Sequence, residues 1–245
     1  METLKLGPLR VRRIVKPGVT AENHGDKKAP LVVVLCHGFG APGDDLVALA
    51  DAIDAPPGTV FVFPEALHSL HDLLGQALYM DARAWWAIDF ARLERAIALG
   101  ELRDQSGEVP EGLAEARAAL GEMLDELAKR EPTDRLVLGG FSQGAMLSLD
   151  LALREPARKL SGLVLMSGTM IAEHEWTPLM AGRKETPVFQ SHGDSDAILP
   201  FAIAERLRDA LRNSGLEVTF EPFRGPHTIP PRALERLGAW LRALP

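Results

Sequence analysis

The chain switches between short, almost unbroken apolar runs and longer stretches whose apolar residues recur every three or four positions. The clearest run is "LVVVLC" (31–36); "TVFVFP" (59–64), "RLVLGG" (135–140), "LSGLVLMSG" (160–168), "TPVFQSHG" (186–193) and "LEVTFEPF" (216–223) repeat the pattern. The continuous β-branched run of Leu31 to Cys36 is the pattern of a strand covered on both faces. Helical spacing fills the intervals 44–53, 84–99, 111–130, 143–154, 200–213 and 230–243. Pro110 and Gly112 open the third of these, Pro200 stands where an N1 proline would open the fifth, and Gly215 closes it.

Strand–helix alternation on this scale predicts an α/β fold, a mostly parallel central sheet with helices on both faces. Leu4–Val15 alternates and breaks at Gly7-Pro8, which predicts a short antiparallel hairpin ahead of that sheet. No repeat, linker or low-complexity tract divides the chain, so residues 1–245 read as one domain. Segments 64–84 and 168–186 lack clear periodicity and are expected to be long loops near the site. In such folds the loops at the carboxyl ends of the strands form the sites.

Composition narrows the function classes. An apolar fraction of 46% and a charged fraction of 25% support a sizeable core. A net charge of −7 and a pI near 5.5 speak against nucleic acid or an anionic membrane surface as partner. The single cysteine, Cys36, forbids an intrachain disulfide and is compatible with a reducing compartment. "METLKLGPLRVRRIV" lacks the continuous apolar segment of a signal peptide, and no run approaches the roughly 18 apolar residues of a membrane span. The expectation is a soluble, cytoplasmic protein without stable membrane insertion.

The chemistry concentrates at strand ends. "GFSQG" (140–144) has the form G-x-S-x-G between the run "RLVL" and the amphipathic "AMLSLDLALR". A serine exposed on a tight strand-to-helix turn needs glycines two positions to either side, where strand and helix pass too close for side chains. Its plainer reading is a helix N-cap. A serine hydroxyl also needs a base, and the base an orienting acid. On a sheet of this kind the chain order is serine, acid, histidine. Asp194 and Asp196 in "SHGDSDAILP" (191–200) and His227 in "FRGPHTIP" (223–230) meet that order, each group beyond a different strand. Alone, the aspartates could cap a turn and His227 could be an exposed loop histidine; spacing leaves Asp194 and Asp196 as rivals for the acid. An oxyanion requires two aimed N–H donors. Gln143, directly after the serine, supplies one candidate, and Phe39 in the glycine-rich "CHGFGAPGDDL" (36–46) the other, with His37 bracing that loop.

With "HGFG", "GFSQGAMLSL", "HGDSDAILP", "GPHTIP" and the tryptophan-containing "RAWWAIDF" (83–90), the chain resembles the phospholipase/carboxylesterase and acyl-protein thioesterase family of α/β-hydrolases from about residue 30 to the end. The resemblance implies a single-domain α/β-hydrolase fold, Asp196 as the triad acid beside Ser142 and His227, no cofactor, and hydrolysis of carboxylic esters or thioesters. "GFGAPGDD" departs from the G-x-G-D form of the protein thioesterases, which favours an esterase of bacterial type over a protein-depalmitoylating enzyme.

Other patterns carry less. "GFGAPG" (38–43) fits a dinucleotide-binding fingerprint, with Glu65 about twenty residues on. Asp44 and Asp45 would repel a pyrophosphate there, and Pro42 removes a donor. Cys36 and His37 are strand neighbours that point to opposite faces and cannot act as a thiol–base pair. His68, His71 and Asp72 fall short of a metal ligand set, so no metal is expected. A non-catalytic binding protein on the same fold would lack a triad member, and here all three are present.

The expected reaction is therefore attack by Ser142 on a small-molecule or lipid ester of short-to-medium, uncharged acyl length. Lysophospholipase and acyl thioesterase activities are the alternatives. Leu70, Leu74, Leu78, Trp85, Trp86 and Trp176 are the expected pocket residues. A homodimer is compatible with the sequence but not legible in it.

Overall fold

The structure, a computed structural model, describes residues 1–18, 29–74, 81–100 and 104–245, the side chains of Leu74, Phe90, Ala96 and Ile97 excepted. Eight of its described strands form one sheet: β1 (Glu2–Leu6), β2 (Leu9–Val15), β3 (Val32–Cys36), β4 (Val60–Pro64), β7 (Leu136–Phe141), β8 (Gly162–Met166), β9 (Pro187–Gly193) and β10 (Glu217–Phe223). Their order is β1-β2-β4-β3-β7-β8-β9-β10. The six strands from β4 to β10 run parallel to one another; β2 joins β4 antiparallel, and β1 closes the expected hairpin. The short strands β5 (His68–Ser69) and β6 (Arg83–Ala84) pair separately.

The unbroken apolar runs feed two cores, one on each face. Val32, Val34, Cys36, Val60, Val62, Leu136, Leu138, Leu163 and Leu165 point to one side. Leu31, Val33, Leu35, Phe61, Phe63, Val137, Val164 and Phe189 point to the other. This is the period-two alternation of a strand with both sides dry. At about 1.5–3 kcal/mol for each fully buried large side chain, these strands are the principal stabilising layer.

The first core is covered by α5 (Gln143–Arg154), which is buried from Gln143 through Leu153. Three further helices pack on that side: α4 (Leu113–Ala128), α6 (Glu173–Met180) and α7 (Phe201–Asn213). α4 turns Leu113, Ala116, Leu120, Leu124 and Leu127 inward, a three-to-four spacing that makes one apolar stripe. The second core lies under α1 (Leu49–Ala52) and α8 (Pro231–Ala243). The remaining helices, α2 (Leu70–Leu74) and α3 (Phe90–Leu99), belong to the long connection between β4 and β7.

Several expectations need correction: the helical spacing over 84–99 yields a helix only at Phe90–Leu99, and the segment 64–84, expected as a loop, carries β5, α2 and β6. The helical spacing over 44–53 yields a helix only at Leu49–Ala52. Ahead of it the chain advances by tight turns, Asp45 N–H to Pro42 C=O and Val47 N–H to Asp44 C=O. The segment 168–186 is not a plain loop, for it contains α6, with Pro178 inside it. Among the described residues, no helix is long and apolar enough to cross a membrane.

Candidate active site

Ser142 sits between the end of β7 and the start of α5, with φ 54° and ψ −120°. A non-glycine residue in this region is strained, and the surroundings must impose it. Its own N–H is held by Met166 C=O at 2.9 Å. The flanking glycines are dictated by contact: a Cβ on Gly140 would stand 2.2 Å from Cys36 O, and one on Gly144 would stand 2.1 Å from the same atom. Only hydrogen fits there, so strand and helix can close on each other and lift the serine.

His227 follows β10 and Asp196 follows β9. His227 Nδ1 lies 2.6 Å from Asp196 Oδ2. The other carboxylate oxygen, Oδ1, accepts the N–H groups of Ile198 and Leu199, each at 2.9 Å. Burial opposes ionisation of Asp196. Hydrogen bonds from His192 and His227, the positive charge available on His227 and the Leu199 N–H outweigh it and hold the carboxyl well below the usual carboxylate range. Asp194 is exposed and accepts Gly225 N–H at 3.1 Å instead. Of the two aspartates, the structure pairs Asp196 with His227. The His227 ring rests on Phe141, centroids 4.7 Å apart.

The loop after β3 is braced from behind. His37 Nε2 accepts Ala66 N–H at 3.1 Å and its Nδ1 contacts Gly38 O at 2.8 Å, while Trp85 Nε1 donates to His37 O at 2.9 Å. Burial pushes the His37 imidazole below its ordinary value, so it serves as a neutral strut. Gln143 binds the same region with its side chain: Oε1 accepts Trp85 N–H and Nε2 donates to Trp86 O, both at 2.9 Å. The sequence pointed to Gln143 only for its backbone N–H, and the side-chain role carried no signal beyond the residue type. Cys36, wholly buried at the end of β3, has its thiol pushed up by burial to about 12.

Ser142, Gln143, His227 and Phe39 all line one cavity of about 660 Å³. Apolar walls come from Trp86, Ile88, Leu93, Val109, Phe141, Met146, Ile171 and Ile198. Arg92 on α3 reaches Glu108 at 3.1 Å and ties the two sides of the rim together. Of the six residues expected to form the pocket, Trp86 lines this cavity. Trp85 is turned into the core by its bond to His37 O, and Leu70 is buried beside Gly40. Trp176 is also a core residue: its indole N–H donates to the buried Asp150 at 2.8 Å, which Arg117 and Arg154 also hold. Leu78 and the side chain of Leu74 lie outside the described residues. The walls that sequence reasoning missed, such as Val109 and Ile171, sit on aperiodic segments where nothing in the pattern distinguishes inward from outward. Among the described residues, no three His, Cys, Asp or Glu side chains gather as metal ligands.

Comparison with known proteins gives a consistent result. A model described as phospholipase/carboxylesterase matches residues 19–244. Acyl-protein thioesterase 1 of Kluyveromyces lactis is 31% identical over 199 residues, 79% of this chain and 78% of that protein. Among solved structures, esterase PE8 superposes with a TM-score of 0.72 at 27% identity, covering 96% of this chain and 99% of that one. The Bacillus cereus carboxylesterase shares the fold, with a TM-score of 0.65 at 20% identity and coverage of 94% and 93%.

Proposed function

The chain belongs to the phospholipase/carboxylesterase family of α/β-hydrolases and is a hydrolase, and we propose that it cleaves short-to-medium acyl esters through Ser142, His227 and Asp196. One observation carries this reading. A strained serine shares a cavity with a histidine whose Nδ1 is already committed, at 2.6 Å, to a buried carboxylate. That pairing leaves His227 Nε2 to take the serine proton.

In the proposed reaction Ser142 Oγ attacks the carbonyl carbon as its proton passes to His227. Asp196 stabilises the imidazolium that forms. The tetrahedral oxyanion is met by the N–H groups of Phe39 and Gln143. The latter is the first residue of α5, where N–H groups have no partner within the helix. His227 then protonates the leaving oxygen, and a water activated by the same imidazole releases the acid. The apolar walls of a 660 Å³ cavity support an uncharged acyl group of modest length.

A thioester substrate is the second reading, favoured by the acyl-protein thioesterase relative. It differs only in the leaving atom, sulfur in place of oxygen.

Two experiments test these proposals. Exposure to a fluorophosphonate should add one adduct to the intact mass of the wild type and none to Ser142→Ala. A folded wild type that takes no adduct refutes the mechanism. For the substrate, kcat/KM is compared across matched p-nitrophenyl esters and thioesters of rising acyl length. Faster turnover of charged acyl groups than of apolar ones of equal size refutes the assigned class.

A further inference from the structure

The proposed reaction leaves one buried histidine beside the site without a task. His192 stands near the end of β9, wholly buried and four residues before Asp196. Its Nε2 lies 2.8 Å from Leu199 O and 3.2 Å from Asp196 Oδ2. A carbonyl can only accept, so Nε2 carries the hydrogen and divides it between the carbonyl and the carboxylate. Nδ1 is then the bare nitrogen, and it has no hydrogen-bond partner among the described residues. An unmet buried acceptor is unfavourable. The ring keeps this orientation nonetheless, with its one N–H aimed at the carboxylate that pairs with His227.

We propose that His192 is a positioning residue, whose Nε2–H holds Asp196 Oδ2 in line with His227 and moderates how strongly that oxygen draws on the His227 proton. The proposal rests on the assignment of Ser142, His227 and Asp196 made above. Oδ1 is fixed by two backbone N–H groups. Oδ2 is shared between His227 and His192. Without His192, Oδ2 serves His227 alone and its charge is less dispersed. Less dispersed charge favours the imidazolium form of His227 and makes it a base that is harder to empty of its proton.

Among the described residues, the charged group recorded in contact with His192 is Asp196, and His227 lies beyond that carboxylate. α7 meets its ring through Phe201, centroids 6.2 Å apart, and the β9 residue on the same face, Gln190, is neutral and tied to Ala204 O. Glu221 on β10 turns to the opposite face, where Arg232 and Arg236 of α8 hold it.

The test compares His192→Leu, which removes the donor, with His192→Gln, which returns an amide N–H near the position of Nε2. kcat/KM for an uncharged p-nitrophenyl ester is followed from pH 5 to 9. The proton on His227 Nδ1 is followed by NMR and assigned by its loss in His227→Gln. In His192→Leu the acid limb should move up by about 0.5–1 pH unit and the plateau should fall about tenfold. The Nδ1 proton should shift downfield. His192→Gln should restore both the limb and the resonance. The proposal is overturned if limb and resonance are unchanged in His192→Leu while only its melting temperature drops, since His192 then merely packs. It is also overturned if Gln behaves like Leu in both readouts. Should wild-type Ser142 fail to take a fluorophosphonate, the mechanism itself fails. The NMR comparison needs no turnover and still decides whether His192 acts on the Asp196–His227 pair.

Discussion

Replacing Gln143 by leucine probes the link between the strained Ser142 turn and the cavity wall. The substitution keeps the backbone N–H that the mechanism assigns to the oxyanion and roughly keeps the side-chain volume. It strips the partners from Trp85 N–H and Trp86 C=O. Each orphaned buried group costs about 1–3 kcal/mol. Trp85 is fully buried, so its N–H falls in the upper part of that range. Trp86 is buried as well, but an unmet carbonyl is the better tolerated of the two groups, so it falls in the lower part. The expected loss of stability is about 3 kcal/mol, or roughly 1 M in the urea midpoint at an m-value of roughly 3 kcal/mol/M. Circular dichroism across a urea titration reads this directly. Catalysis should suffer less than the 10²- to 10³-fold typical of a deleted oxyanion donor, because only the wall is displaced. Gln143→Glu adds a sign test. Its carboxylate faces the Trp86 carbonyl, lone pair against lone pair, and should be relieved as the pH falls and the carboxyl gains a proton to donate. The reasoning is refuted if Gln143→Leu unfolds within about 0.5 kcal/mol of wild type.

Three further outcomes are expected. Gly144→Ala forces a methyl to within 2.1 Å of Cys36 O, so urea titration should show a loss of about 3 kcal/mol or more, with ester hydrolysis lost alongside. Asp196→Asn should lower kcat by roughly 10⁴ while the protein stays folded. Because the folded-state value of Asp196 is depressed, its ionised form stabilises the fold fully above the unfolded value near 3.9 and loses that contribution as the pH falls through the folded value; between pH 5 and pH 2.5 the wild-type urea midpoint should therefore drop more steeply than that of Asp196→Asn. Trp176→Phe removes a donor from buried Asp150 and should destabilise by about 1–2 kcal/mol yet leave kcat/KM within about twofold, a value that a wall residue of the cavity would not give.

The sheet could be read in advance because its central parallel strands, β3, β4, β7 and β8, are dry on both sides, and continuous β-branched runs have few other uses. The serine turn was legible for a similar reason, since the clash at Gly140 and Gly144 leaves a mark in residue type. Chain order brought Ser142, Asp196 and His227 together, whereas the choice between Asp194 and Asp196 came only from the resemblance to a family. Spacing of two residues cannot say which carboxylate turns inward. α6 was hidden because Pro178 interrupts its pattern and its anchor is polar, the indole N–H of Trp176 meeting Asp150. The cavity walls were the least legible. An indole at 85 and one at 86 look alike in sequence, yet a single hydrogen bond to His37 O sends the first into the core and leaves the second to face the cavity.

The burial of Cys36 has a practical consequence. It is the sole cysteine of the chain, and a thiol pushed up to about 12 is almost entirely protonated at neutral pH and out of reach of reagents in the native fold. Thiol-directed probes will therefore ignore the native protein, and no background substitution is needed before one is attached. A cysteine placed at Val109, which is 45% exposed and borders the cavity, would be the single reactive handle on the molecule. A spin label or fluorophore there could report, in the otherwise unaltered enzyme, whether the rim tied by Arg92 and Glu108 moves when a ligand enters.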